Sequence, residues 1–143
     1  VPVFGTRSKS LLALCHPKLI AVANAAITHI DFSLTQTVRG RAAQEAAVKA
    51  GNSRAHFGHS AHNFTPALAL DMLPYPFDGN WNAPDLVPRM KAVADVFYAE
   101  GERLGVPIIW GGCGKDGWET IIDNPHIELA DWHALSRSLP FAE

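Results

Sequence analysis

Cysteine is nearly missing from this chain: 143 residues carry two, Cys15 and Cys113, with no CxxC pair. Neither a disulfide framework nor a cysteine zinc site is indicated, and two independent thiols are expected, with a single disulfide between Cys15 and Cys113 as the alternative. An apolar run of transmembrane length, about 20 residues, is also missing, so the chain is not membrane-spanning. Leu11 to Leu14, broken by His16-Pro17, is too short for a signal core. Excess charge of either sign is absent as well, with 12 Lys and Arg against 14 Asp and Glu, a net charge of -2 and a pI near 6.4. Phosphate binding needs a basic face, so nucleic acid is excluded as the main partner. There is no internal repeat and no low-complexity tract. What these absences leave is one soluble globular domain over residues 1–143, expected to be a monomer. Its 48% hydrophobic content is enough to enclose a core without staples.

The pattern along the chain alternates helix and strand signals. Ser8 to Leu14 reads as a short helix. Pro17 suits the first turn of a second helix reaching about His29, with Leu19, Ile20, Val22, Ala23, Ala26 and Ile27 on its apolar face. Ile30, Phe32, Leu34 and Val38 are spaced by even numbers, as in a half-buried strand ending near Arg39. Ala42 to Ala50 has strong helix propensity and Gly51 is its stop. Residues 51–66 read as a polar loop, and Ala67 to Met72 as a short buried strand. Pro74, Pro76, Asp78-Gly79-Asn80 and Pro84 mark an irregular rim. Val87 to Leu104 fits an amphipathic helix closed by Gly105. Val106 to Trp110 then reads as a strand, Gly111 to Gly117 as a glycine-rich turn and His126 to Leu129 as a final inner strand. Asp131 is expected to cap a terminal helix reaching about Ser138.

The chemistry concentrates in Ser60-Ala61-His62, in Asp71, and in Asp123-Asn124-Pro125-His126. One carboxylate and two imidazoles form a ligand set that leaves zinc an open fourth position, with Asp123 beside the last of them as a candidate base. Proline disfavours helix in its predecessor and so biases this segment towards an extended turn. Each residue alone has a plainer reading: a loop histidine is commonly a surface or capping group, and an Asp-Asn-Pro aspartate commonly bonds to backbone. His56, His59 and His62 also spell HxxHxxH, a possible local metal site weakened by Gly58, and the first two are read as rim histidines. His16 and His133 are read as structural. Trp81, Trp110 and Trp118 are candidates to line a ligand groove, Trp110 first among them.

In the order Arg39, Gln44, Ser60-Ala61-His62, Ala69-Leu70-Asp71, Trp110-Gly111-Gly112 and Asp123-Asn124-Pro125-His126-Ile127-Glu128-Leu129, the chain resembles the zinc peptidases that cut bacterial cell-wall peptides. That group holds D-alanyl-D-alanine carboxypeptidases and the L-alanyl-D-glutamate endopeptidases used as phage endolysins. The spacing from His62 to Asp71 is longer than in many members, Thr65-Pro66 reading as an insertion, and Cys113 stands where an acidic residue is usual. The resemblance implies an α+β fold with a small, mainly antiparallel sheet flanked by helices and Zn2+ on its open face, held by His62, Asp71 and His126. It further implies Asp123 as general base and Arg39 at the oxyanion or a substrate carboxylate, with Arg41 competing. Ser60 is expected to orient the site or bind substrate, and Gln44 and Trp110 are the other expected substrate-binding residues. The implied partner is a peptidoglycan peptide. The implied activity is L-alanyl-D-glutamate endopeptidase, with D-alanyl-D-alanine carboxypeptidase as the alternative and a non-catalytic zinc-containing wall-binding module as the second. Such a protein acts at the cell wall, released after membrane permeabilisation or exported.

Overall fold

The computed structural model describes residues 1–112 and 122–143. Cys113, Trp118 and the turn expected up to Gly117 lie outside the described residues. Helices α1 (Thr6–Leu12) and α2 (Pro17–Ile27) come first. Proline at the first position starts α2, and His16 Nδ1 accepts the Lys18 N–H at 3.1 Å, so His16 is a helix cap. Strand β1 (Phe32–Gln36) and helix α3 (Arg41–Lys49) follow, the chain turning at Gly51 with φ of 79°.

The stretch expected as plain loop contains a 3₁₀ turn at Ala61–Asn63. Ser60 Oγ accepts the His62 N–H and Asn63 Oδ1 accepts the Ser60 N–H, a reciprocal cap that fixes the segment carrying His62. Strand β2 (Ala69–Pro74) begins two residues later than expected, because Ala67 bonds to Leu14 and His16 near the start of α2 instead of entering the sheet. Helix α4 (Leu86–Leu104) buries Met90, Val93, Ala94, Phe97 and Gly101, and ends on Gly105 at φ of 71°. Gly101 is required by close approach, since a Cβ there would lie 2.6 Å from the Val106 carbonyl oxygen. Strands β3 (Ile108–Trp110) and β4 (His126–Leu129) precede α5 (Trp132–Ser136). Asp131 precedes α5 but makes no side-chain cap bond, contrary to expectation; its carboxylate sits 3.8 Å from Lys18 Nζ.

The four strands form an antiparallel sheet in the order β1-β2-β4-β3. Alternation sends Leu70 and Met72 into the core, fully buried, and turns Asp71 to the opposite face. Phe32 packs on Phe97 of α4 at 5.3 Å between ring centres and on Phe4 at 5.2 Å, tying helix to sheet. A bulge between Leu34 and Gln36 breaks the even spacing of β1. Leu34 pairs with Met72 on the core side, yet Gln36 pairs with Asp71, which in turn pairs with His126. Gln36, Asp71 and His126 thus stand in one row across three strands.

Candidate metal centre and its cleft

Asp71 on β2 and His126 on β4 are brought together by strand register, and the capped turn brings His62 over them. His62 Nε2 lies 3.1 Å from Asp71 Oδ1 and 3.1 Å from His126 Nδ1, while His126 Nδ1 lies 3.4 Å from Asp71 Oδ1. The outer ring nitrogens are both committed. His62 Nδ1 is 2.7 Å from the Thr37 carbonyl oxygen, which only accepts, so this nitrogen carries the proton. His126 Nε2 is 2.7 Å from Glu128 Oε1, a buried carboxylate. In neutral rings the inner nitrogens therefore present lone pairs, and these converge with a carboxylate oxygen on one point. Like partial charges at such distances need a cation between them, either a proton or a metal ion.

The electrostatics register the same demand. For Asp71, burial alone would raise the carboxyl, but the charges and N–H groups of His62 and His126 outweigh it and hold the group well below the usual carboxylate range. For His126, burial favours the neutral ring, yet Asp71 and Glu128 overcome it and push the imidazole up to about 10. Two neutral nitrogens and one carboxylate, each nitrogen oriented by an outer acceptor, are a donor set that fits a divalent ion such as zinc.

The cluster opens into a cleft of about 340 Å³ whose walls include Arg39, Ser60 and Asp123. The Asp123 carboxyl is raised, chiefly by burial, with Asp71 adding to the effect and His126, His62 and Arg39 opposing it. Arg39 is tethered: its Nε and Nη2 donate to Gln36 Oε1, its Nη1 donates to Gln44 Oε1 at 3.1 Å, and its Nη2 approaches Asp71 Oδ2 at 3.7 Å. Arg41 instead points elsewhere, 3.8 Å from Glu143 and over the Phe57 ring.

Two expected substrate contacts, Gln44 and Trp110, are buried. Gln44 has 0% exposure and spends its amide on Arg39, Asn63, Ser53 and Ala55, so it positions its neighbours and has no surface to offer a ligand. Trp110 is 1% exposed, with its indole N–H donating to the Asn124 carbonyl and its ring against Gly112, so it is packing and not groove lining. Trp81 is exposed but stacks edge-on with Phe77 on the rim. His56 pairs with Glu45 at 2.9 Å outside the cluster, whereas His59 lines the cleft. His133, expected to be structural, also lines the cleft with its ring stacked 3.7 Å from Trp132. Glu128 and the Thr37 carbonyl are the partners sequence reasoning missed. Glu128 had a signal, since residues two apart on a strand share a face.

This combination defines a class: α+β proteins that carry a His–Asp–His donor cluster at the end of an open cleft, with an acid and a tethered arginine on its walls. The particular family follows from the sequence. Residues 2–130 match the profile described as phage L-alanyl-D-glutamate peptidase, and the chain belongs to that family. Among solved structures it is similar to the Serratia marcescens L-Ala D-Glu endopeptidase ChiX, at 25% identity and a TM-score of 0.73, over 92% of this chain and 93% of that one. No curated protein matches. Among the described residues, no helix is long and apolar enough to cross a membrane.

Proposed function

We propose that this protein is a zinc-dependent endopeptidase that hydrolyses the L-alanyl-D-glutamate bond of peptidoglycan stem peptides. The observation that carries the reading is the convergence of His62 Nε2, Asp71 Oδ1 and His126 Nδ1 beside a cleft holding Asp123, in a chain of this family. The name of the Serratia relative points to the same bond. Zinc, when bound, supplies Lewis acidity that lowers the pKa of a water from about 15.7 towards roughly 7 and polarises the scissile carbonyl.

His62, Asp71 and His126 would hold the ion. Asp123 takes the proton of the attacking water and passes it to the leaving amine of the glutamyl residue. Its raised basicity, caused by burial, suits that task. Arg39 offers its remaining N–H groups to the oxyanion; because Gln36 and Gln44 already hold the guanidinium, little reorganisation is needed when charge develops. Ser60 acts through the turn it caps, by holding His62. The protein works at the bacterial wall, reached after membrane permeabilisation or by export.

Mass spectrometry of purified muropeptides tests the reading. A new amine on glutamate, abolished by chelator and restored by zinc, is the expected result. Loss of terminal D-alanine would make the protein a D,D-carboxypeptidase, and binding without any cleavage would make it a wall-binding module.

A further inference from the structure

The cleft carries one fixed charge that the proposed chemistry does not use. Arg54 lines it together with His62, His126 and Asp123, is exposed, and has no hydrogen-bond or ion-pair partner among the described residues. The acidic groups on the same walls are otherwise engaged, Glu128 with His126 and Asp123 with the proposed proton transfer. The fixed charge that the proposed chemistry leaves over on the cleft wall is therefore positive.

Arg54 also sits on a loop that is pinned on both sides of it. The buried Gln44 amide donates to Ser53 Oγ at 3.1 Å and to the Ala55 carbonyl at 2.6 Å, and the Ala55 N–H donates back to Ser53 Oγ at 3.1 Å. The same glutamine accepts from Arg39. One buried side chain thus fixes the backbone under Arg54 relative to the guanidinium of Arg39, an arrangement that a purely solvating surface arginine does not need.

A D-glutamyl residue has two carboxyl groups. Only one can continue the peptide, so the other remains an anion within a few bonds of the leaving nitrogen. We propose that Arg54 is the specificity determinant that reads this free carboxylate, so that stems with the acid are preferred over stems in which it is a carboxamide; this rests on the peptidase reading above. A guanidinium matches a carboxylate with two parallel N–H groups and keeps its charge at every working pH. His59 and His133, on the same walls, carry charge only when protonated, and the N–H groups that Arg39 has left after Gln36 and Gln44 are given to the oxyanion in the proposed chemistry.

The test compares kcat/KM on two synthetic stem peptides that differ only in carboxylate against carboxamide on the glutamyl residue. The wild-type protein is expected to favour the acid by roughly 10- to 100-fold, the range for a hydrogen bond to a charged group. Arg54→Gln should bring the ratio near unity with zinc content intact, and Arg54→Lys should keep part of it. Equal cleavage of both stems by the wild-type protein, or an undiminished ratio in Arg54→Gln, overturns the inference and leaves the peptidase reading standing. Cleavage of neither stem overturns both. If Arg54→Gln is unstable, Arg54→Lys decides: a ratio undiminished from the wild-type value there, where the guanidinium fork is lost, overturns the inference.

Discussion

Glu128 holds the outer nitrogen of His126 from a buried position, 2.7 Å away, and this contact has a measurable consequence. An outer carboxylate selects the tautomer of a ligand histidine and strengthens it as a donor. Glu128→Gln keeps the shape but loses the charge. Zinc affinity is expected to fall by about 10- to 100-fold, read by competition with a chromophoric chelator; an unchanged affinity would mean that the strand backbone alone orients His126. Asp123 makes the complementary case. Asp123→Asn should retain full zinc and lower hydrolysis by roughly 100-fold or more, the range for a general base. Near-normal turnover in that variant would reduce Asp123 to a turn-former and pass proton transfer to Glu128, the remaining carboxylate on the cleft wall.

Among the elements, the short turn at Ala61–Asn63 bears most directly on the site. Its cap joins Ser60 to His62 and Asn63, and the His62 carbonyl accepts the Arg39 N–H at 2.8 Å, so the turn couples a proposed ligand to the proposed oxyanion residue. Removing a serine cap costs on the order of 1 kcal/mol. Ser60→Ala is therefore expected to melt a few degrees lower and to bind zinc more weakly, because His62 rides on the turn. A lower Tm with unchanged zinc affinity would confine the cap to folding. The helices were legible because their punctuation is local: Pro17 opens α2, Gly51 follows α3 and Gly105 closes α4. The β1 bulge was not. Phe32 and Leu34 announce a regular alternation, and nothing in the residues between them and Gln36 says where pairing with β2 will slip.

Taken whole, the molecule folds around a cluster that could hold a cation. Without metal, that cation is the proton on His126, whose folded value of about 10 lies above its ordinary 6.5. A raised value stabilises the fold fully below the unfolded pKa and loses that contribution as pH rises through the folded one. Asp71, held low, contributes above its ordinary 3.8 and loses the contribution only in stronger acid. Chelator-treated protein should thus hold its Tm between about pH 5 and 6.5 and lose stability towards pH 10. Zinc should remove that decline and raise the Tm throughout, since a ligand of the native state stabilises it by mass action. A chelated sample whose melting temperature stays flat up to pH 10 would contradict this assignment of the site's charge.

The sequence by itself determined the donor types and their order, the helix punctuation, and the lack of cysteine and charge excess that shut out other classes. These are properties of single residues or of periodicities a few residues long, and they act before the chain is assembled. Only the tertiary structure decided which nitrogen of each histidine faces the centre, that Trp110 and Gln44 are buried, and that Arg54 shares a cleft with Asp123. His62 and His126 are 64 positions apart, and what joins them is the register of β2 on β4 and a turn docked above it. Register is set by the burial of Leu70, Met72, Ile127 and Leu129 on the far face, a cooperative packing of the whole sheet that no local window of sequence contains.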